Sequence, residues 1–322
     1  MEKLSEDHAM VAEAAAGFLA QNHPVAAFRA LRDSGAPLGY DRAIVGQMAG
    51  MGWMGVVLPE DLGGVNFGHR AAGLIAGAMG RNLTAAPFLS TAVIGASVLK
   101  HAGGPVAESW GPKLAAGEAL STMCLTEPGA GSDLSRIRTT ANRSGDDWSI
   151  SGEKIFISGG DQDLSDDILH LVLARTGAAE DGVKGLSLFL TSKRKAGSAI
   201  AVTRIEEKMG LHGSPTCQLA FDACPAELIG EEGTGLTAMF VLMSVLPSPG
   251  PGLVTMRSFG GLSGAMNIRL VIASITAASN IVRNVPQRAT STPPSAAPRS
   301  VMKKPKILDT LAISDLVNPR SR

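Results

Sequence analysis

The stretch MCLTEPGAGSDL, residues 123–134, places Thr126, Glu127, Ser132 and Asp133 among the small residues Gly129, Ala130 and Gly131. A turn this rich in small residues can leave backbone amides open to an anionic group, with a threonine hydroxyl beside them as a further donor. A second stretch, GEKIFISGG at 152–160, sets Phe156 and Ser158 next to a glycine pair. Both stretches also have plainer readings. Gly129, Gly131, Ser132 and Asp133 can form a turn closed by an Asx-type hydrogen bond, and Phe156 can be a strand core residue. His212, in a Gly/Ser/Pro loop, is read as a solvated or loop-bonding histidine rather than a base. Ser214 and Cys217 have no His and acid at a spacing that would activate a nucleophile. Cys124, Cys217 and Cys224 lack paired metal-ligand spacing, so they are expected as free thiols with no metal site.

The elements that must position these residues are of two kinds. Met10, Val11, Ala14, Ala15, Phe18 and Leu19 recur at spacings of three and four, which predicts an amphipathic helix over 7–20. Further helices are expected at 41–51, 69–82 and 88–101, divided by LPEDLGGVNFG and Pro87. From Ser121 the pattern changes to short β-branched or aromatic runs, WSISGEKIFISGG, ILHLVLAR, LSLFLTS, AIAVTRI and CQLAFD, bounded by Gly, Asp or Ser. Turns are expected at 144–147 and 158–160, and Val172, Leu173, Leu188, Phe189 and Leu190 as buried strand residues. The strands are expected to end near Asp222, and ELIGEEGTGLTAMFVLMSVL to return to helical spacing. The fold class is therefore α+β: a helical domain over 1–120, an antiparallel β-domain over 121–227, the start of a helical domain over 228–246 and an irregular tail over 247–322.

With 322 residues, 45% hydrophobic and 18% charged, the chain can bury a sizeable core. Aromatic residues make up only 4%, which disfavours a stacking surface for nucleic acid. The first ten residues carry acids and no apolar run, so no signal peptide is expected and the location is read as cytoplasmic. Charge is uneven: residues 233–322 sum to +8 and residues 1–232 to −8. That basic segment lacks interleaved aromatics, so no nucleic-acid partner is expected. The apolar stretch 263–283 carries Arg269 and Arg283 and is not expected to span a membrane.

MCLTEPGAGSDL resembles the signature of the acyl-CoA dehydrogenases. GWMGVVLPEDLGG (52–64), GEKIFISGG (152–160), EKMGLHGSPTCQLAFD (207–222) and LIGEEGTGL (228–236) are similar to the same family in the same order, and the resemblance covers roughly 1–246. It implies an N-terminal helical domain, a middle β-domain and a C-terminal four-helix domain. It also implies FAD as cofactor, an acyl-CoA substrate oxidised to the 2-enoyl-CoA, electron-transferring flavoprotein as partner, and a homo-oligomer. By the same resemblance Thr126 would hydrogen-bond the flavin ring through hydroxyl and amide, with Leu125 supplying a backbone contact. Ser158 would approach flavin N5, and Phe156 would stand where many relatives place Trp against the ring. Gly131 and Ser132 would face the pyrophosphate, the Ser132 backbone also meeting the acyl-CoA, while Glu127 would organise the loop rather than take a proton.

The family reaction needs a carboxylate base, and the resemblance places it as a Glu in the C-terminal helical domain. Residues 233–322 hold no glutamate, so no residue here matches it and no catalytic residue is assigned. Nine of the 18 prolines lie at or beyond Pro247, a density that a helical domain does not tolerate. A frameshift near Leu246 in a GC-rich gene would account for both this composition and the +8 charge. The expectation is a family member that is inactive as it stands. The alternative is a non-catalytic partner subunit, or a truncated remnant that binds another chain. A flavin monooxygenase on the same fold is a further alternative.

Overall fold

The computed structural model describes residues 4–35, 42–162, 164–210 and 213–237. The expectations for His212 and for the tail over 247–322 fall outside these residues.

Helix α1 (Glu6–Asn22) begins at Ser5, whose side chain accepts from the His8 amide, with Glu6 and Asp7 favourably placed in its first turn. It buries Ala15 and Leu19, whereas Met10 is 61% exposed. Only part of the apolar stripe expected for this helix is therefore covered. α2 (Val25–Asp33) and α3 (Arg42–Gly50) follow. The irregular segment after α3 buries Trp53, Met54, Val56, Val57 and Leu58. α4 (Gly68–Asn82) packs on α1 through the small side chains of Ala71, Ala72 and Ala78, together with Ile75 and Met79. A π-helical stretch, Leu89–Gly95, runs into α5 (Ala96–Ala102), and α6 (Gly104–Ala115) completes the helical layer.

Seven strands form the second layer: β1 (Ala119–Cys124), β2 (Thr140–Ser144), β3 (Asp147–Ser158), β4 (Asp167–Arg175), β5 (Leu186–Ser192), β6 (Ile200–Ile205) and β7 (Thr216–Ile229). The pairings β4 to β2, β2 to β3, β3 to β7, β7 to β5 and β5 back to β4 close a ring, with β1 added beside β4 and β6 beside β7. The sheet is not wholly antiparallel as expected. β1 runs parallel to β4, because the β2–β3 hairpin lies between them in sequence and supplies the crossover that parallel strands require. β2 also meets β4 in parallel, at Thr140 and Arg175.

β4 and β5 are buried along their whole length. Side chains alternate between the faces of a strand. Leu169, Leu171, Leu188 and Leu190 thus join the core shared with the helices, whereas Val172, Ala174 and Phe189 fill a second core within the ring. The hairpin between β2 and β3 turns at Gly145, where φ is +64°, within the expected 144–147 turn. β7 continues past the expected end near Asp222, because Leu228 and Ile229 pair with Phe189 and Leu188. The segment expected to return to helix therefore begins as strand. Within the described residues it becomes helical only from Gly235.

Candidate functional site

The ends of β1 and β3 lie side by side. The Thr122 hydroxyl, on β1, donates to the Ser158 carbonyl at 2.8 Å. The Ile155 amide, on β3, donates to the Thr126 carbonyl at 2.8 Å. These bonds gather Leu125 and Thr126 on one side and Phe156 and Ser158 on the other. Leu125, Thr126 and Phe156 are half-buried and Ser158 is exposed. Neither the amide nor the hydroxyl of Thr126 is hydrogen-bonded within the described residues, nor is the Ser158 hydroxyl.

Phe156 is not an ordinary strand residue. Its φ is +59°, at a break in the β3–β7 register between Lys154 and Ile157. A bulky residue in the left-handed region is strained, and such residues cluster where a ligand is held. The bulge turns Phe156 out of the alternation that would have put it into the core. Beyond it, the turn at 158–160 is held by the Gly159 amide on the Pro215 carbonyl at 2.7 Å and by His170 Nε2 against the Gly160 carbonyl at 2.9 Å.

The loop after Thr126 is partly the plain turn that its composition allows. Glu127 and Ala130 exchange two backbone hydrogen bonds across Pro128 and Gly129. Asp133 accepts from the Ser135 amide at 3.2 Å, which is the Asx-type bond. Between these fixed points Gly131 and Ser132 are exposed, and their amides carry no hydrogen bond within the described residues. Adjacent open amides of this kind suit a phosphate or another anion.

Two residues that sequence reasoning missed hold this loop. Lys154 is completely buried and pairs with Glu127 at 2.8 Å. Burial alone would raise the Glu127 pKa, but the Lys154 charge and the bonds from Lys154, Thr139 and the Arg138 amide hold it below the usual carboxylate range. Glu127 is thus an ionised structural acceptor. Arg175, at the end of β4, donates to the carbonyls of Ile137 at 3.0 Å, Ser135 at 2.7 Å, Ala178 at 3.1 Å and Gly182 at 2.9 Å. GEKIFISGG contains Lys154, but nothing local marks it, since its partner lies 27 residues away. Cys124, Cys217 and Cys224 are buried and free, and burial pushes all three thiols up. Among the described residues no group of His, Cys, Asp and Glu could hold a metal ion, and no helix is long and apolar enough to cross a membrane.

A helical layer followed by a β-domain is the N-terminal and middle architecture of the acyl-CoA dehydrogenases. The models of that family match twice, the N-terminal domain over residues 5–118 and the middle domain over 122–224. The chain belongs to the acyl-CoA dehydrogenase family. It is 39% identical over 221 residues to 3-methylmercaptopropionyl-CoA dehydrogenase of Ruegeria pomeroyi, covering 65% of this chain and 37% of the relative. It is 34% identical over 203 residues to mitochondrial isobutyryl-CoA dehydrogenase of Dictyostelium discoideum, covering 62% and 47%. The crystal structure of acyl-CoA dehydrogenase from Geobacillus kaustophilus superposes with a TM-score of 0.66 at 25% identity, covering 76% of this chain and 63% of that one. The chain thus spans less than half the length of these two curated relatives.

Proposed function

We propose that this chain is the FAD-holding N-terminal and middle part of an acyl-CoA dehydrogenase, and that on its own it does not dehydrogenate acyl-CoA. The observation that carries this reading is the pairing of the β1 and β3 ends, with the donors of Thr126 and Ser158 left open beside the strained Phe156. These residues fit a flavin. Thr126 would donate to the polar ring edge from amide and hydroxyl, Leu125 would add a backbone contact, and Phe156 would shield the ring near Ser158. The open amides of Gly131 and Ser132 would face the pyrophosphate, and the Ser132 backbone would also meet the acyl-CoA. When bound, FAD supplies the acceptor for the hydride of the acyl β-carbon.

Removing the α-proton requires a free carboxylate. The two acids of the loop are engaged: Glu127 by Lys154 and the amides of Arg138 and Thr139, and Asp133 by Ser135. Residues 233–322 hold no glutamate to take their place, and the surroundings of Asp309 and Asp315, the only side-chain carboxylates there, resemble no motif of the family. In this reading residues 1–120 form the helical domain and 121–227 the β-domain, the location is cytoplasmic, and electron-transferring flavoprotein is the partner of a complete enzyme. The protein purified with added FAD and passed through a desalting column tests the cofactor. A retained visible flavin spectrum is expected. A colourless protein would contradict FAD binding and favour the alternative, a remnant or partner subunit that binds another chain.

A further inference from the structure

Lys154 is fully buried, and its ammonium donates to the Leu125 carbonyl at 3.0 Å, to Glu127 Oε1 at 2.8 Å and to the Leu173 carbonyl at 2.7 Å. These acceptors use all three of its N–H groups. Replacing a buried ion pair by apolar residues of similar volume is often neutral or stabilising, so stability alone does not explain why a chain would carry one. What the pair holds does explain it.

The carbonyl of Leu125 and the amide of Thr126 belong to one peptide unit, and in a trans peptide they point in opposite directions. No cis peptide bond occurs among the described residues. Lys154 clamps the carbonyl side of that unit, so the Thr126 N–H is aimed away from the core. The next residue of β3, Ile155, takes the Thr126 carbonyl through its own amide at 2.8 Å. Consecutive residues of β3 therefore fix the peptides on both sides of Thr126 and leave its two donors free. The other half of the pair closes the loop: Glu127 accepts from the Arg138 amide at 2.7 Å and the Thr139 amide at 3.0 Å, and so bridges the ends of the segment that carries Gly131 and Ser132.

From this geometry we infer that Lys154 is a positioning residue for the flavin ring edge, with Glu127 as the counter-ion that joins the ring-edge donors to the anion-binding amides. The inference rests on the FAD reading above. Lys154 touches no reacting atom; it acts through Leu125 and Thr126.

The test uses the full chain and three measurements: FAD affinity by quenching of flavin fluorescence, visible circular dichroism of the bound flavin, and thermal melting. Single substitution of Lys154 would strand a buried carboxylate, so the principal variant is the neutral pair Lys154→Met with Glu127→Gln. It is expected to melt cooperatively, to bind FAD about tenfold more weakly or worse, and to alter the flavin dichroism. Asp167→Asn, which disturbs a buried acid bonded instead to Ser192, is expected to lower the melting temperature and leave the dichroism unchanged. Where the paired variant is too unstable to purify, Lys154→Gln with Glu127→Gln, which is also neutral and keeps an N–H donor in the place of the ammonium, is measured and the same outcomes apply. Folded variants with wild-type FAD affinity and dichroism would overturn the positioning role alone. A wild-type chain that takes up no FAD would overturn the cofactor reading and the positioning role with it.

Discussion

The Ile155 amide donates to the Thr126 carbonyl at 2.8 Å, and this bond joins the loop after β1 to the strand that presents Phe156 and Ser158. It fixes the backbone of Thr126 through its acceptor and leaves its donors unspent. Thr126→Val keeps the side-chain shape and removes only the hydroxyl. Loss of one hydrogen bond of this kind costs about 1 kcal/mol, or roughly fivefold in affinity. FAD titration of the variant is expected to show that loss with an unchanged melting temperature.

The helical layer approaches the sheet closely at Gly95. A methyl group there would lie 2.0 Å from Ser121 Oγ. That hydroxyl donates to the Ser90 carbonyl at 2.7 Å, and the Ser121 amide donates to Thr91 Oγ1 at 3.1 Å. Gly95→Ala is expected to destabilise the fold by about 1–3 kcal/mol through overpacking, measured by denaturant unfolding. A variant as stable as the wild type would show that this contact yields freely.

The sequence made part of this legible. β5 coincides with the run LSLFLTS, because a strand buried on both faces reads as one continuous apolar block. α4 lies within one residue of its expected start, its apolar positions recurring at helical spacing. α2, α6 and β2 were not legible. α6 contains Pro112, and β2 buries only Ala141, so neither shows the periodicity that marks an element. At the site, the residue types of 123–134 taken alone fit a plain turn, and only the resemblance of the segment to the family signature implied ligand-facing amides and donors. The Lys154–Glu127 pair did not show, because a buried lysine is recognisable only once its distant partners are in place.

Arg175 should matter more than its position at a strand end implies. Its guanidinium supplies four backbone carbonyls from Ser135 to Gly182. Arg175→Met leaves these acceptors without their donor and is expected to cost about 2–4 kcal/mol. Amide exchange should rise first over 133–139 and 179–185. Unchanged protection there would contradict the stapling role.

Stability should fall on mild acidification. Burial pushes the His170 pKa down, with Lys193 adding to the effect; the Gly160 carbonyl, Asp161 and Asp167 oppose it without prevailing. Its Nδ1 is buried without a partner in the described residues. The folded chain therefore resists a proton that the unfolded chain accepts below about pH 6.5. The stabilisation is present above that pH and is lost as pH falls toward the lowered folded value. Melting temperatures followed from about pH 8 to 5 should decline in the wild type and decline less steeply in His170→Gln, where His69, whose pKa burial also lowers, keeps part of the slope. Equal slopes would assign the decline to other groups.

The claim that the cradle is present and the base is absent is tested most directly by anaerobic titration of the FAD-loaded chain with short-, medium- and branched-chain acyl-CoAs, followed by visible absorbance. The oxidised flavin band is expected to persist with every one of them. Bleaching by any acyl-CoA would show that a carboxylate does take the α-proton and would contradict the inactive reading.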